Sequence, residues 1–177
     1  LKTAIAEEGF QMYIVAEVLK KMGHEVEITN DVEYGIAFKT IANNADSEDV
    51  YFMAAHWDPL QNTMIKGAGG EEKLAKFSNF ISNCAQGYLI DKKTADKYNI
   101  KYINDLNDPK IAKLFDVDGN GKADLTGCSA GWGCEKVIEH QLDAYDLRDN
   151  IDHRQGSYSA LIADTLAQYK TGKPILY

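Results

Sequence analysis

Apolar positions at Phe10, Ile14, Val18 and Met22 recur every four residues, with Glu7, Glu17, Lys20 and Lys21 mostly elsewhere. That period predicts an amphipathic helix that turns those four side chains inward and stops at Gly23. Val26 and Ile28 then alternate with Glu25 and Glu27, the pattern of a half-buried strand. A short helix is predicted over 34–43. The run Asp49-Val-Tyr-Phe-Met-Ala-Ala55 is nearly continuously apolar, which predicts a strand covered on both faces.

Farther along, Tyr88-Leu89-Ile90 reads as a short strand and 94–98 as a polar helix. Pro109 sits at a suitable first helical position for a segment reaching Phe115. A helix over 133–147 would carry Val137, Gln141, Leu142 and Tyr145 near one face. Another over 158–169 would turn Leu161, Ile162, Thr165, Leu166 and Tyr169 inward, with Gly172 ending it and 174–177 opening a strand. Such alternation argues for an α/β architecture. No strand precedes the first helix and nothing follows the last strand, the pattern expected of an incomplete chain.

Composition narrows the function classes. The chain has 177 residues, 45% of them hydrophobic, enough for one domain or two small lobes. No apolar stretch approaches the roughly 20 residues that cross a bilayer. The start Leu1-Lys2-Thr3 lacks an initiator Met and a signal-peptide pattern, so a processed product or fragment is expected. A net charge of −8 without clustered Lys and Arg disfavours nucleic acid as a partner.

Cys128 and Cys134 are separated by five intervening residues and Cys84 stands alone. In an exported protein a close pair reads as a disulfide, and in the cytosol as a metal or redox site. The spacing fits neither a zinc ribbon nor a thioredoxin motif. His140 would be a third zinc ligand without a convincing fourth, so the disulfide is the stronger reading.

Candidate chemistry concentrates in loops. His56-Trp57-Asp58-Pro59 follows the apolar strand, and ligands gather beyond the carboxyl ends of strands in open α/β sheets. Trp57 there suits a pocket wall, or else satellite core. Gly127-Cys-Ser-Ala-Gly-Trp-Gly-Cys-Glu135 joins three glycines, two cysteines and Trp132 just before a predicted helix. A helix start offers unpaired N–H groups and the positive dipole end, which favour a carboxylate or phosphate. A quaternary ammonium cannot donate hydrogen bonds, so aromatic faces are its suitable partners, each contributing ~0.5–2 kcal/mol. Two Trp-bearing loops and one anion-accepting helix start together suggest a zwitterion site. The simpler reading of the second loop is a stapled turn whose Trp covers the core.

Asp116, Asp118, Asn120 and Asp124 lie in a loop that matches the start of a calcium-binding EF-hand loop. Position twelve is Gly127 where a bidentate Glu is needed. This leaves open either weak Ca²⁺ binding, and with it a calcium-dependent structural module, or a self-satisfied polar turn. Cys84, Cys134, His56, His140 and His153 invite a thiol-enzyme reading, but no local signature supports it, and a disulfide-bonded cysteine is no nucleophile. His140 is expected mid-helix and His153 in a polar turn. The chain reads as a binding protein rather than an enzyme.

At Ala54-Ala-His-Trp-Asp-Pro-Leu60, Gln86-Gly-Tyr-Leu-Ile-Asp-Lys-Lys93, Gly121-Lys-Ala-Asp-Leu-Thr-Gly-Cys128 and Gly131-Trp-Gly-Cys-Glu135, the chain resembles the periplasmic glycine betaine/proline betaine-binding protein family. The resemblance runs from end to end. It implies a type II periplasmic-binding-protein fold of two α/β lobes, incomplete here, with 1–95 in the first lobe and 96–177 in the second. It implies osmoprotectant delivery to a membrane ABC importer's permease. Trp57 and Trp132 would match two walls of an aromatic box, and the N–H groups of Gly133 and Cys134 the carboxylate donors. Cys128 and Cys134 would match the family disulfide. Gln61 stands where well-studied members carry a histidine that reaches the carboxylate. The family starts with a strand before Leu1 and continues past Tyr177 to a third tryptophan wall. The 177 residues alone are therefore expected to bind solute weakly or not at all, and their open sheet edges to favour self-association.

Overall fold

The computed structural model describes residues 1–177, and the chain divides into two units, Leu1–Cys84 and Ala85–Tyr177. The first unit is built on helices α1 (Ala6–Lys21), α2 (Tyr34–Asn43) and α3 (Asn62–Gly67), with a 3-10 turn at Gly70–Glu72. α1 begins with Glu7 and Glu8 and ends with Lys20 and Lys21, charges that complement the helix dipole. It stops as the sequence predicts. Gly23, at φ +94°, lets its own N–H and that of His24 return to Lys20 and Leu19.

The buried face of α1 is not the predicted one. Phe10, Ile14, Val18 and Met22 are exposed, and Glu8, Gly9, Met12 and Ala16 are buried. The helix carries apolar side chains on more than one face, so the four-residue period could not decide between them. Small residues let the other face seat closely, and Lys2 lies over Gly9. Tyr34, Ala37, Phe38 and Ala42 of α2 complete the unit's core with Ala55, Ile65 and Leu74.

Neither predicted strand of this unit forms a ladder. Val26 and Ile28 are half-buried between exposed Glu25 and Glu27, so the alternation reads the two faces correctly. A strand also needs a neighbour to accept its backbone bonds. Here Lys2 donates to Thr29 and accepts from Val32 at 2.9 Å each, and the Leu1 N-terminus donates to the Phe52 carbonyl at 2.8 Å. The apolar run reaches only one buried residue, Ala55.

The second unit holds helices α4 (Lys92–Tyr98), α5 (Pro109–Ala112), α6 (Gly133–Ala144) and α7 (Tyr158–Lys170), with 3-10 turns at Ile103–Asn107 and Lys113–Phe115. Asp91 caps α4 through the Thr94 N–H at 2.8 Å, and Asp108 precedes Pro109 at the start of α5. Strands β1 (Ala123–Thr126) and β2 (Ile151–Arg154) run parallel, joined through α6, with Leu125 opposite His153. Thr126 also donates to Leu176 at 3.0 Å, and Ile90 bridges Leu176 antiparallel. The predicted strands at 88–90 and 174–177 thus reduce to one bridge. Leu106, Ala112, Phe115, Leu125, Leu142, Leu147, Ile151 and Leu176 form the core around β1 and β2.

His153 therefore lies in a strand rather than a polar turn, with its side chain buried. On α6, Leu142 is buried while Val137 and Tyr145 are exposed, and on α7 Thr165 is buried while Leu166 and Tyr169 are exposed. Both apolar faces are narrower than their periodicity predicts. No helix is long and apolar enough to cross a membrane.

Candidate functional site

In the first unit the turn Trp57-Asp58-Pro59 contains a cis Asp58–Pro59 peptide and is clamped from both ends. The Gln61 N–H donates to the Trp57 carbonyl at 2.9 Å, and the Trp57 N–H donates to Gln61 Oε1 at 3.1 Å. The Asp58 carboxylate accepts from Asn62 Nδ2 at 3.0 Å and Lys76 Nζ at 2.8 Å. These donors hold its carboxyl below the usual range, Lys76 foremost. With its backbone fixed, Trp57 keeps 43% of its surface exposed.

The indole is also held by its edge. Trp57 Nε1 donates to Glu8 Oε1 at 2.5 Å, and the hydroxyls of Thr3 and Tyr34 donate to the same carboxylate. Glu8 is buried in α1, and Gln61 lies beneath the turn with 2% of its surface exposed. Burial, reinforced by Glu8, pushes the Tyr34 phenol far above its ordinary range against the hydrogen bonds of Trp57 and Gln61. His56 packs edge-on to Phe38 with ring centroids 6.0 Å apart. Burial and nearby Lys76 lower its pKa.

In the second unit Cys128 and Cys134 form a disulfide, S–S 2.04 Å, as the exported-protein reading requires. It closes the loop 128–134 immediately before α6. Gly131, at φ +84°, turns the chain so that Trp132 becomes the residue preceding the helix. Trp132 supplies no side-chain cap, and the first-turn N–H groups of Gly133 and Cys134 have no acceptor within the helix by its geometry. Glu135 reaches back to the Gly131 N–H at 2.5 Å. The Trp132 ring lies 5.5 Å from the Tyr158 ring at 39°, and the Tyr158 N–H donates to Ser129 Oγ at 3.3 Å. Tyr158 had no local signal in the sequence, because what makes it part of this aromatic pair is a contact between residues 26 apart (158 minus 132).

Behind the loop, a methyl group on Gly127 would lie 1.9 Å from His153 Nε2. The same ring bonds Glu139 through Nδ1 at 2.7 Å, and Arg148 reaches Glu139 and Asp143 at 2.5 Å. The His153 hydrogen bond, then Arg148, lowers the Glu139 pKa.

The acidic loop brings carboxylate oxygens of Asp116, Asp118 and Asp124 within 4.8 Å of one another. They accept hydrogen bonds from the loop itself. Asp116 accepts from the N–H groups of Gly119 and Gly121, Asp118 from Asn120, and Asp124 from Val117. Asn120 bonds Asp118 and Asp152 through Nδ2. Asp124 belongs to β1 rather than to a free loop. Of the residues considered for thiol chemistry, Cys134 is half of the disulfide and Cys84 is an exposed thiol.

The two tryptophan loops are thus held differently, the first by the polar side chains of Glu8 and Gln61, the second by a disulfide and an aromatic neighbour. The structure matches that of a glycine/betaine/L-proline-binding protein of an ABC transporter from Borrelia burgdorferi with a TM-score of 0.72. That match has 20% identity and covers 99% of this chain and 61% of that one. Residues 2–177 match the substrate-binding domain of the ABC-type glycine betaine transport system, and the chain belongs to that family. Over all 177 residues it is 49% identical to the glycine betaine/proline betaine-binding periplasmic protein of Escherichia coli. It is 48% identical to the glycine betaine-binding periplasmic protein OusX of Dickeya dadantii. The chain covers 52% of each, and so spans about half the length of the curated relatives it matches.

Proposed function

We propose that this chain forms part of a periplasmic protein that binds glycine betaine or proline betaine and delivers it to a membrane ABC importer. The Trp57 loop and the Trp132–Cys134 segment carry the ligand contacts in this reading, and the two units are portions of two lobes. The observation that carries it is the 128–134 loop. There an aromatic ring and uncapped helix N–H groups sit side by side on one covalently closed element, matching the two ends of a zwitterion. The names of the relatives supply the solute and the compartment.

Gln61 enters as a brace for Trp57, with its carbonyl oxygen already engaged. The acidic loop enters as a self-satisfied turn on the way into β1. Tryptophan fluorescence of the natural protein tests the assignment. Glycine betaine should change the emission saturably, and Trp57→Ala and Trp132→Ala should each abolish or strongly weaken that response. Unchanged titration curves in both variants would remove the two loops from the binding reading.

A further inference from the structure

Glu8 is 3% exposed, and every group bonded to it donates: the Thr3 and Tyr34 hydroxyls and the Trp57 indole N–H. That matches an acceptor-only carboxylate. Burying such a group is unfavourable unless it is paired, and no Lys, Arg or His of the chain forms an ion pair with it. Three dipoles satisfy its lone pairs without cancelling its charge. One of them is the edge of the half-exposed Trp57 ring.

We propose that Glu8 is a charge-selecting and positioning residue. From behind, it fixes the indole edge, and it supplies a buried negative charge that makes the exposed Trp57 face favour a cationic over a neutral head group. This rests on Trp57 being a ligand contact. The attraction of a cation for an aromatic face is electrostatic. An anion bonded to the indole N–H polarises the ring in the favourable sense, and in a poorly solvated setting its field is weakly screened. A neutral group of the same shape gains nothing from either effect.

The test compares glycine betaine with its carbon isostere, 3,3-dimethylbutanoate, by calorimetric titration of the natural protein. The isostere keeps the carboxylate and three methyl groups but replaces the charged nitrogen with carbon. Glu8→Gln keeps the side chain's shape and an acceptor oxygen while removing the charge. It should weaken betaine binding about tenfold or more and leave isostere binding nearly unchanged, so the ratio of affinities collapses. A merely structural role would weaken both ligands alike, and an equal loss, or no loss, overturns the proposal. A wild-type protein that does not bind betaine sinks the parent reading instead, and this inference with it.

If Glu8→Gln does not fold, the ¹⁵N-labelled wild-type protein answers the question. The Trp57 indole proton, assigned by its absence in Trp57→Phe, should resonate downfield of ordinary indoles and exchange slowly with water. A fast-exchanging proton at the free-indole position would refute the bond on which the inference stands.

Discussion

Gly127 is held at its identity by a neighbour twenty-six residues away, His153 (153 minus 127). The imidazole is buried and tethered to Glu139, so it cannot move aside without losing that bond. Gly127→Ala is expected to destabilise the protein by about 3 kcal/mol, the upper range for overpacking a filled interior. A urea midpoint unchanged from wild type would show that the ring has an alternative seat. That Trp57 and Trp132 lie in loops was legible in the sequence, because proline, glycine and cysteine mark those segments. Gln61 was singled out through the family resemblance, though not its bond to the Trp57 N–H, and Glu8 and Tyr158 were not singled out at all. Glu8 meets Trp57 across 49 positions, a distance over which periodicity and local motifs carry no information.

Among elements, what the sequence revealed best was where helices stop. Gly23 and Gly172 both take positive φ, and each lets two N–H groups return to the final turn. α6 ends three residues earlier than its periodicity suggests, because Asp146, at φ +55°, takes the role glycine has in the other two. β1 and β2 escaped detection because Ala-Asp-Leu-Thr and Ile-Asp-His-Arg are only four residues each, with charged groups in both. Their stability comes from pairing with each other and from packing on Leu142 and Leu147, which no four-residue window contains. The loop before α6 is likewise closed by a covalent bond. For so short a loop, replacing Cys128 and Cys134 together by Ser should cost about 2 kcal/mol on the chain-entropy account. Binding of betaine should weaken as well, since Trp132 lies inside that loop. Equal denaturation midpoints with and without reductant would rule out a stabilising role for the bond.

For the molecule as a whole, the motifs quoted from the sequence led to the family to which residues 2–177 belong. Interior packing was less legible. The sequence placed Phe10, Ile14, Val18 and Met22 inside, whereas α1 buries Met12, Ala16 and a carboxylate. That carboxylate links the fold to the proposed chemistry, because the side chain that orients Trp57 belongs to the face the periodicity passed over. Micromolar solute binding requires about 8 kcal/mol, more than one aromatic contact of ~0.5–2 kcal/mol supplies, so several contacts must act together. The most direct measurement is the calorimetric affinity of the natural protein for glycine betaine, alone and with Trp57→Ala or Trp132→Ala. Saturable one-to-one binding is expected in the wild type, with at least a tenfold loss in each variant. Wild-type affinity in both variants, or no heat of binding in the unaltered protein, would contradict this assignment.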